Sequence, residues 1–303
     1  MPIEELSKVE KRETIEHKST AEEFIKKCGE ATEEISALCA QKKNRGFQID
    51  TIRDVYTPMD RLLEKSLSEL DYSAADIETF ISSEYHREIA DAKRLPLGVC
   101  TRITLETLTK KNRAKGEKTV IKIDGSWNEF NYLFFGIQNF DEIYLSNMKG
   151  ERILSVSDGG KCGTAVLNNI EGSGLCSYLD YNIGSLDNLI CNMSKTFYFK
   201  DMHRSKPRNI GFALLSDCMV NSDDQFNCCY FREILGEKEP IKEDKEKYEI
   251  ILELAAKMTD SPIDEIENLS RQIIQIYRSD KEDENIIEKT SKTGYAHFKW
   301  LKR

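Results

Sequence analysis

The chain has 303 residues, 39% of them hydrophobic and 32% charged, with a formal net charge of −9. That length fits two modest domains or one elongated one. The acidic balance disfavours non-specific nucleic-acid binding, which depends on neutralising phosphates, and leaves room only for a local basic site. No stretch approaches the roughly 18 consecutive apolar residues that would span a bilayer, and the opening MPIEELSKVEKRETIEHKST lacks the apolar segment of a secretory signal.

Residues 1–17 read as a charged lead. Residues 18–45 predict an amphipathic helix, with Ser19 or Thr20 as its cap and Glu22 and Glu23 in its first turn. Phe24, Ile25, Cys28, Ala31, Ile35, Leu38 and Cys39 then recur at helical spacing. After the break NRGFQID, Thr57-Pro58 suits a second helix start, and Met59, Leu62, Leu63, Leu67 and Leu70 share one face. A third helix is expected from near Ser73 to about 93, closed by Pro96. Residues 99–107 (VCTRITLET) alternate and are β-branched, which predicts a strand, and 110–118 reads as a basic loop.

Between Phe135 and Cys218, within a stretch that reads as a solenoid from Thr119 to about Phe231, the chain repeats one phrase: apolar, any, apolar, any, then Asn or Asp. Its polar residues include Asn147, Asp158, Asn169, Asp180, Asn192 and Asp201, spaced close to 11 residues apart, so that every second copy returns near 22. A fixed period of that size predicts stacked units. Alternate residues of a strand share a face, so the Asn or Asp is expected to point inward with the apolar pair, and a buried amide needs a stacked partner. Asn147, Asn169 and Asn192 are expected to form one structural ladder, and Asp158, Asp180 and Asp201 the opposite one. The pattern resembles the right-handed parallel β-helix; a leucine-rich repeat has the same period but places its Asn three residues after the last Leu, where here Asn147 follows Leu145 by two. Residues 243–258 then predict a helix, and Ser261-Pro262 caps a last one carrying Ile266, Leu269, Ile273 and Ile276.

The expected class is therefore mainly β with helical caps: a right-handed parallel β-helix of about 22 residues per coil flanked by helical segments. The expected domains are an N-terminal helical domain over 1–97, a β-solenoid over 98–235, and a C-terminal helical segment with a charged tail over 236–303. The nine cysteines form no CxxC pair and histidines number only four, so reduced core thiols are expected and neither a metal nor a cofactor.

Between Asp201 and Asp217 the repeat spacing widens, and the extra residues carry His203, Arg204, Lys206 and Arg208. Insertions in repeat proteins form loops on one face, often the binding face, and this cluster suits a phosphate, a carboxylate or an acidic partner segment. The glycines of DGGKCG and EGSG lack the Lys-Ser/Thr of a phosphate-binding loop. Carboxylates such as Asp180, Asp187, Asp201, Asp223 and Asp224 would suit an enzyme groove, but the ladder turns two of them inward. His86 and His203 have no cysteine at a spacing that marks a nucleophile.

The repeat is accounted for by folding, and no catalytic constellation is left over. The reading is a cytoplasmic scaffold that binds a protein partner through a solenoid surface, weighing against an enzyme, with a homodimer as a further expectation. Two alternatives stand. One is an iron–sulfur assembly scaffold, because the layout is similar to that of the scaffold subunits of the SUF system, a likeness that carries over no residues. The other is a carbohydrate- or nucleotide-active enzyme using the solenoid groove.

Overall fold

The structure, a computed structural model, describes residues 21–40, 63–87, 90–175, 185–192, 194–197, 210–216, 219–220 and 245–282. The chain divides into two compact units, Met1–Thr119 and Val120–Arg303.

The described part of the first unit is helical. Helix α1 covers 21–40 and α2 covers 63–68; α3 is Ala74–Tyr85 and α4 is Asp91–Ala114. Ser73 caps α3 in a reciprocal capping box with Asp76. Phe24 of α1 stacks on Tyr72 with ring centroids 4.6 Å apart and meets Phe80 edge-on at 6.1 Å. The Tyr72 hydroxyl donates to Thr104 O at 2.9 Å, so the aromatic cluster is tied to α4.

The strand expected at 99–107 is instead the middle of α4, and Pro96 lies inside that helix rather than ending one. Every residue from Pro96 to Leu105 is buried, so the helix shows no polar face from which a 3.6-residue period could be read. Its threonines, which suggest a strand, satisfy their hydroxyls within the helix. Thr101 donates to Gly98 O, Thr104 to Thr101 O and Thr107 to Ile103 O, all within 2.9 Å.

The second unit holds strands β1 (Val120–Asp124), β2 (Ile137–Glu151), β3 (Val156–Leu175), β4 (Ser185–Asn192), β5 (Lys195–Phe197), β6 (Ile210–Ser216) and β7 (Met219–Val220). Two helices follow, α5 (Lys245–Met258) and α6 (Ile263–Glu282). The strands join one parallel sheet in the order β1-β2-β3-β4-β6, with β5 beside β3 and β7 beside β5.

This corrects the expected class. Helix makes up about half of the described residues, and the strands lie in a single parallel sheet rather than in a multi-coil β-helix. The sequence period has its physical counterpart in the pairing. Ile143 stands opposite Ala165, an offset of 22, while Ala165 stands opposite Leu189 and Leu189 opposite Ala213, offsets of 24. The repeat is thus the step from one parallel strand to the next.

Both faces of the sheet are buried, as parallel sheets require. One face carries Ile121, Ile123, Ile143, Leu145, Ala165, Leu167, Leu189 and Cys191. The other carries the row Tyr144, Val166, Ile190 and Leu214, which packs with Ile251, Leu254, Ala255 and Met258 of α5 and Ile266, Leu269, Ile273 and Ile274 of α6. Tyr144 occupies a repeat position that sequence alternation leaves outside the core, yet it is fully buried because these helices cover it. No helix among the described residues is long and apolar enough to cross a membrane.

Candidate functional site

The most elaborate polar arrangement among the described residues lies where the α5–α6 hairpin meets the sheet. Two polar groups adjoin the apolar row of Tyr144, Val166 and Ile190: a row at the Ser146 register position, and a charged cluster around Glu142 and around Lys122, which continues the Tyr144 row onto β1.

The first is a row of hydroxyls and amides. Ser146, Asn168 and Asn192 stand opposite one another on adjacent strands and are fully buried. Asn192 Nδ2 donates to Asn168 Oδ1 at 2.8 Å, and Asn168 Nδ2 donates to Met258 O at 2.9 Å. Asn169 Nδ2 donates to Thr259 O at 2.6 Å and to Asn147 Oδ1 at 3.1 Å. Carbonyls at the end of a helix have no partner within it. Here Asn169 supplies a donor to Thr259 O and Asn168 adds a second one to Met258 O beside the Ser261 N–H, and these bonds tie the hairpin to the sheet.

The second group is charged. Lys122 Nζ lies 2.8 Å from Asp264 Oδ1 and 2.5 Å from Glu267 Oε2. Arg271 bridges Glu267 at 2.7 Å and Glu142 at 2.9 Å, and the Tyr144 hydroxyl donates to Glu142 Oε2 at 3.0 Å. The carboxylates of Asp264 and Glu267 push the Lys122 ammonium above its usual range. Burial, reinforced by the negative charge of Glu142, pushes the Tyr144 phenol up. The paired charges of sheet and helix act as an electrostatic fastener between them.

The predicted ladders are rearranged. Asn147 and Asn169 are bonded, but Asn192 joins Asn168, because the β3–β4 offset is 24 where β2–β3 is 22. Asn147 and Asn169 have φ of 51° and 55°. That left-handed turn takes Asn147 and Asn169 out of the strand alternation, while the residue before each of them keeps its place on the Tyr144 face. Asp158 lies in β3 with its side chain outside the described residues, and Asp180, Asp201, His203, Arg204, Lys206 and Arg208 also lie outside them. Asp187 is an exposed position of β4, and His86 closes α3 with its ring nitrogen on Ser82 O.

Sequence reasoning missed Glu142, Lys122 and Arg271. An acidic residue in a strand next to buried apolar ones (Glu142 before Ile143 and Tyr144) is the signal that could have marked them. The described thiols are Cys28, Cys39, Cys100, Cys162 and Cys191. Cys28 and Cys100 lie side by side between α1 and α4, and burial pushes the Cys28 thiol up, the opposite of what a nucleophile needs. No group of three or more His, Cys, Asp or Glu suited to a metal occurs among the described residues. No family model matches the chain, and neither the curated proteins nor the solved structures contain a match to it.

Proposed function

We propose that the protein is a scaffold or binding protein that works inside the cell and engages another macromolecule, most directly a protein with an acidic segment. One observation carries this reading. The polar side chains that the repeat places at regular positions are committed to the framework, with Asn168 on Met258 O, Asn169 on Thr259 O and Asn192 on Asn168. A sheet fastened in this way to its covering helices is a rigid platform on which loops can present contacts. The adjacent thiols of Cys28 and Cys100 support a reducing compartment.

The basic segment with His203, Arg204, Lys206 and Arg208 is the proposed contact, since it concentrates cations in an acidic chain. Affinity capture from native lysate, followed by titration with the purified partner, tests the reading. Wild type is expected to bind, and Arg204→Ala/Lys206→Ala/Arg208→Ala to lose the partner. Absence of any partner, together with turnover of a small substrate by the pure protein, would overturn it.

A further inference from the structure

Two thiols lie against each other in the interior of the first unit. Cys28 of α1 and Cys100 of α4 are both fully buried, and they are 72 residues apart in the chain. The Cys100 Sγ donates to Cys28 O at 3.5 Å, and the two thiol groups are within hydrogen-bonding reach of one another. A disulfide holds its sulfurs about 2.05 Å apart, so sulfurs already in contact need to close by only about 2 Å to bond. The hydrogen bonding of the pair is dispensable. Cys28 O also accepts from the Thr32 hydroxyl at 2.8 Å, so it keeps a donor when the Cys100 S–H is gone. The Tyr72 hydroxyl beside the pair is committed to Thr104 O. Converting two S–H groups into one S–S bond therefore orphans neither of these buried groups.

The same burial shuts the pair off from solvent. The thiolate, not the thiol, attacks an oxidant, and desolvation keeps the Cys28 thiol protonated while α1 is packed down. An oxidant in solution reaches either sulfur only when α1 lifts from α4. Two contacts resist that lifting: the Phe24 ring on Tyr72 and Phe80, and the Lys93–Glu33 ion pair. Exposed ion pairs contribute little, so the packing of Phe24 sets how often the helix opens.

We propose that Cys28 and Cys100 are a redox latch that records the opening of α1: a hydroperoxide converts the pair to a disulfide once the helix has lifted, and the bond then fixes α1 to α4. With hydrogen peroxide the step balances. One thiolate attacks a peroxide oxygen, the O–O bond breaks, and a sulfenic acid forms while the other oxygen leaves as hydroxide and takes up a proton. As α1 settles back, the second sulfur attacks the sulfenic sulfur. The S–S bond forms, the S–O bond breaks, and hydroxide leaves with the remaining thiol proton. The two thiols lose two electrons and two protons, and the peroxide ends as two molecules of water. The bond closes a loop of 72 residues, a length at which a cross-link strongly restricts the open chain. The latch is independent of the partner proposed above.

Treatment of the full chain with hydrogen peroxide, followed by peptide mapping without reductant, tests the latch. The expected product joins the Cys28 and Cys100 peptides and is undone by dithiothreitol. Bridging is expected to slow amide exchange in α1 and to raise the melting temperature of the first unit by about 10 °C. Peroxide-treated Cys28→Ala is expected to gain neither effect. Phe24→Leu gives up the ring stacking without touching either thiol, and is expected to speed bridging about tenfold by raising the open fraction. If that variant does not fold, urea below the unfolding transition makes the same test on wild type, where bridging is expected to accelerate with urea. Any of three results overturns the latch. Peroxide that fully oxidises the half-buried Cys39 leaves the pair as thiols; bridging is no faster in Phe24→Leu or in urea; or the bridged protein exchanges its α1 amides as fast as the reduced one.

Discussion

The two units use glycine in opposite ways, and the difference shows what holds each together. Gly29 lies inside α1, and a Cβ added there would meet nothing within 4 Å. Gly172 lies in β3, where a Cβ would fall 1.6 Å from Gly150 O; at Gly160 and Gly163 it would fall 1.9 Å from Gln138 O and 2.0 Å from Asp141 O. No neighbour approaches the backbone at Gly29. In the second unit backbone sits on backbone at these points, and only glycine permits the approach.

Paired substitutions should break that comparison most sharply. Gly172→Ala is expected to cost about 4 kcal/mol or more, or to prevent folding of the second unit, because the obstacle is backbone and cannot rotate away. Denaturant unfolding of the full chain would register it as a lost or shifted transition, and wild-type behaviour would refute the close approach. Next in size is Asn168→Ala. It removes one of two donors to Met258 O, which keeps the Ser261 N–H, and one of two acceptors of Asn192 Nδ2, which keeps Thr259 Oγ1, at about 0.5–1.5 kcal/mol for each bond lost. Hydrogen exchange should then show α5 opening more often while α4 is unchanged.

Gly29→Ala should act with the opposite sign. It is expected to stabilise the first unit by about 0.5–1 kcal/mol, through the lower entropy cost of alanine in a helix, read as a rise in that unit's melting temperature. The smallest effect concerns pH. Lys122 has its pKa raised above 10.5, first by Asp264 and then by Glu267. Its contribution is complete below the ordinary lysine value and is lost as the pH rises through the higher, folded-state value. Stability at strongly alkaline pH should therefore fall less in Lys122→Met than in wild type, and equal slopes would remove the network from the stability of the hairpin.

How far the sequence could be read follows from what each signal reports. The amphipathic helices were legible because one face stays wet: Phe24, Cys28 and Ile35 are buried in α1, and Ile266, Leu269 and Ile273 in α6. Helix α4 was not, because burial on all sides erases the period and Thr101, Thr104 and Thr107 mimic a strand while bonding back to helix carbonyls. The repeat revealed a strand step near 22 but not the sheet that uses it. Period alone does not say whether successive strands wrap a core or lie side by side under helices. Likewise, the asparagines announced themselves, but which one faces inward depended on the positive φ of Asn147 and Asn169. The ion network joins residues as far apart in sequence as Lys122 and Asp264, a juxtaposition that only the folded chain makes.

The three close glycine approaches constrain the length of the chain as well as its composition. Gln138 to Gly160, Asp141 to Gly163 and Gly150 to Gly172 are overlapping spans, and residues 151–159 belong to all of them. The turn inside that stretch has no slack, since Ile153, Leu154 and Ser155 are buried. One residue deleted there would place Lys161, Thr164 and Ser173 where three glycines stood, and one inserted would place Cys162 and Glu171 at two of them. Between Glu151 and Gly160 this protein should therefore accept changes of letter far more readily than changes of count.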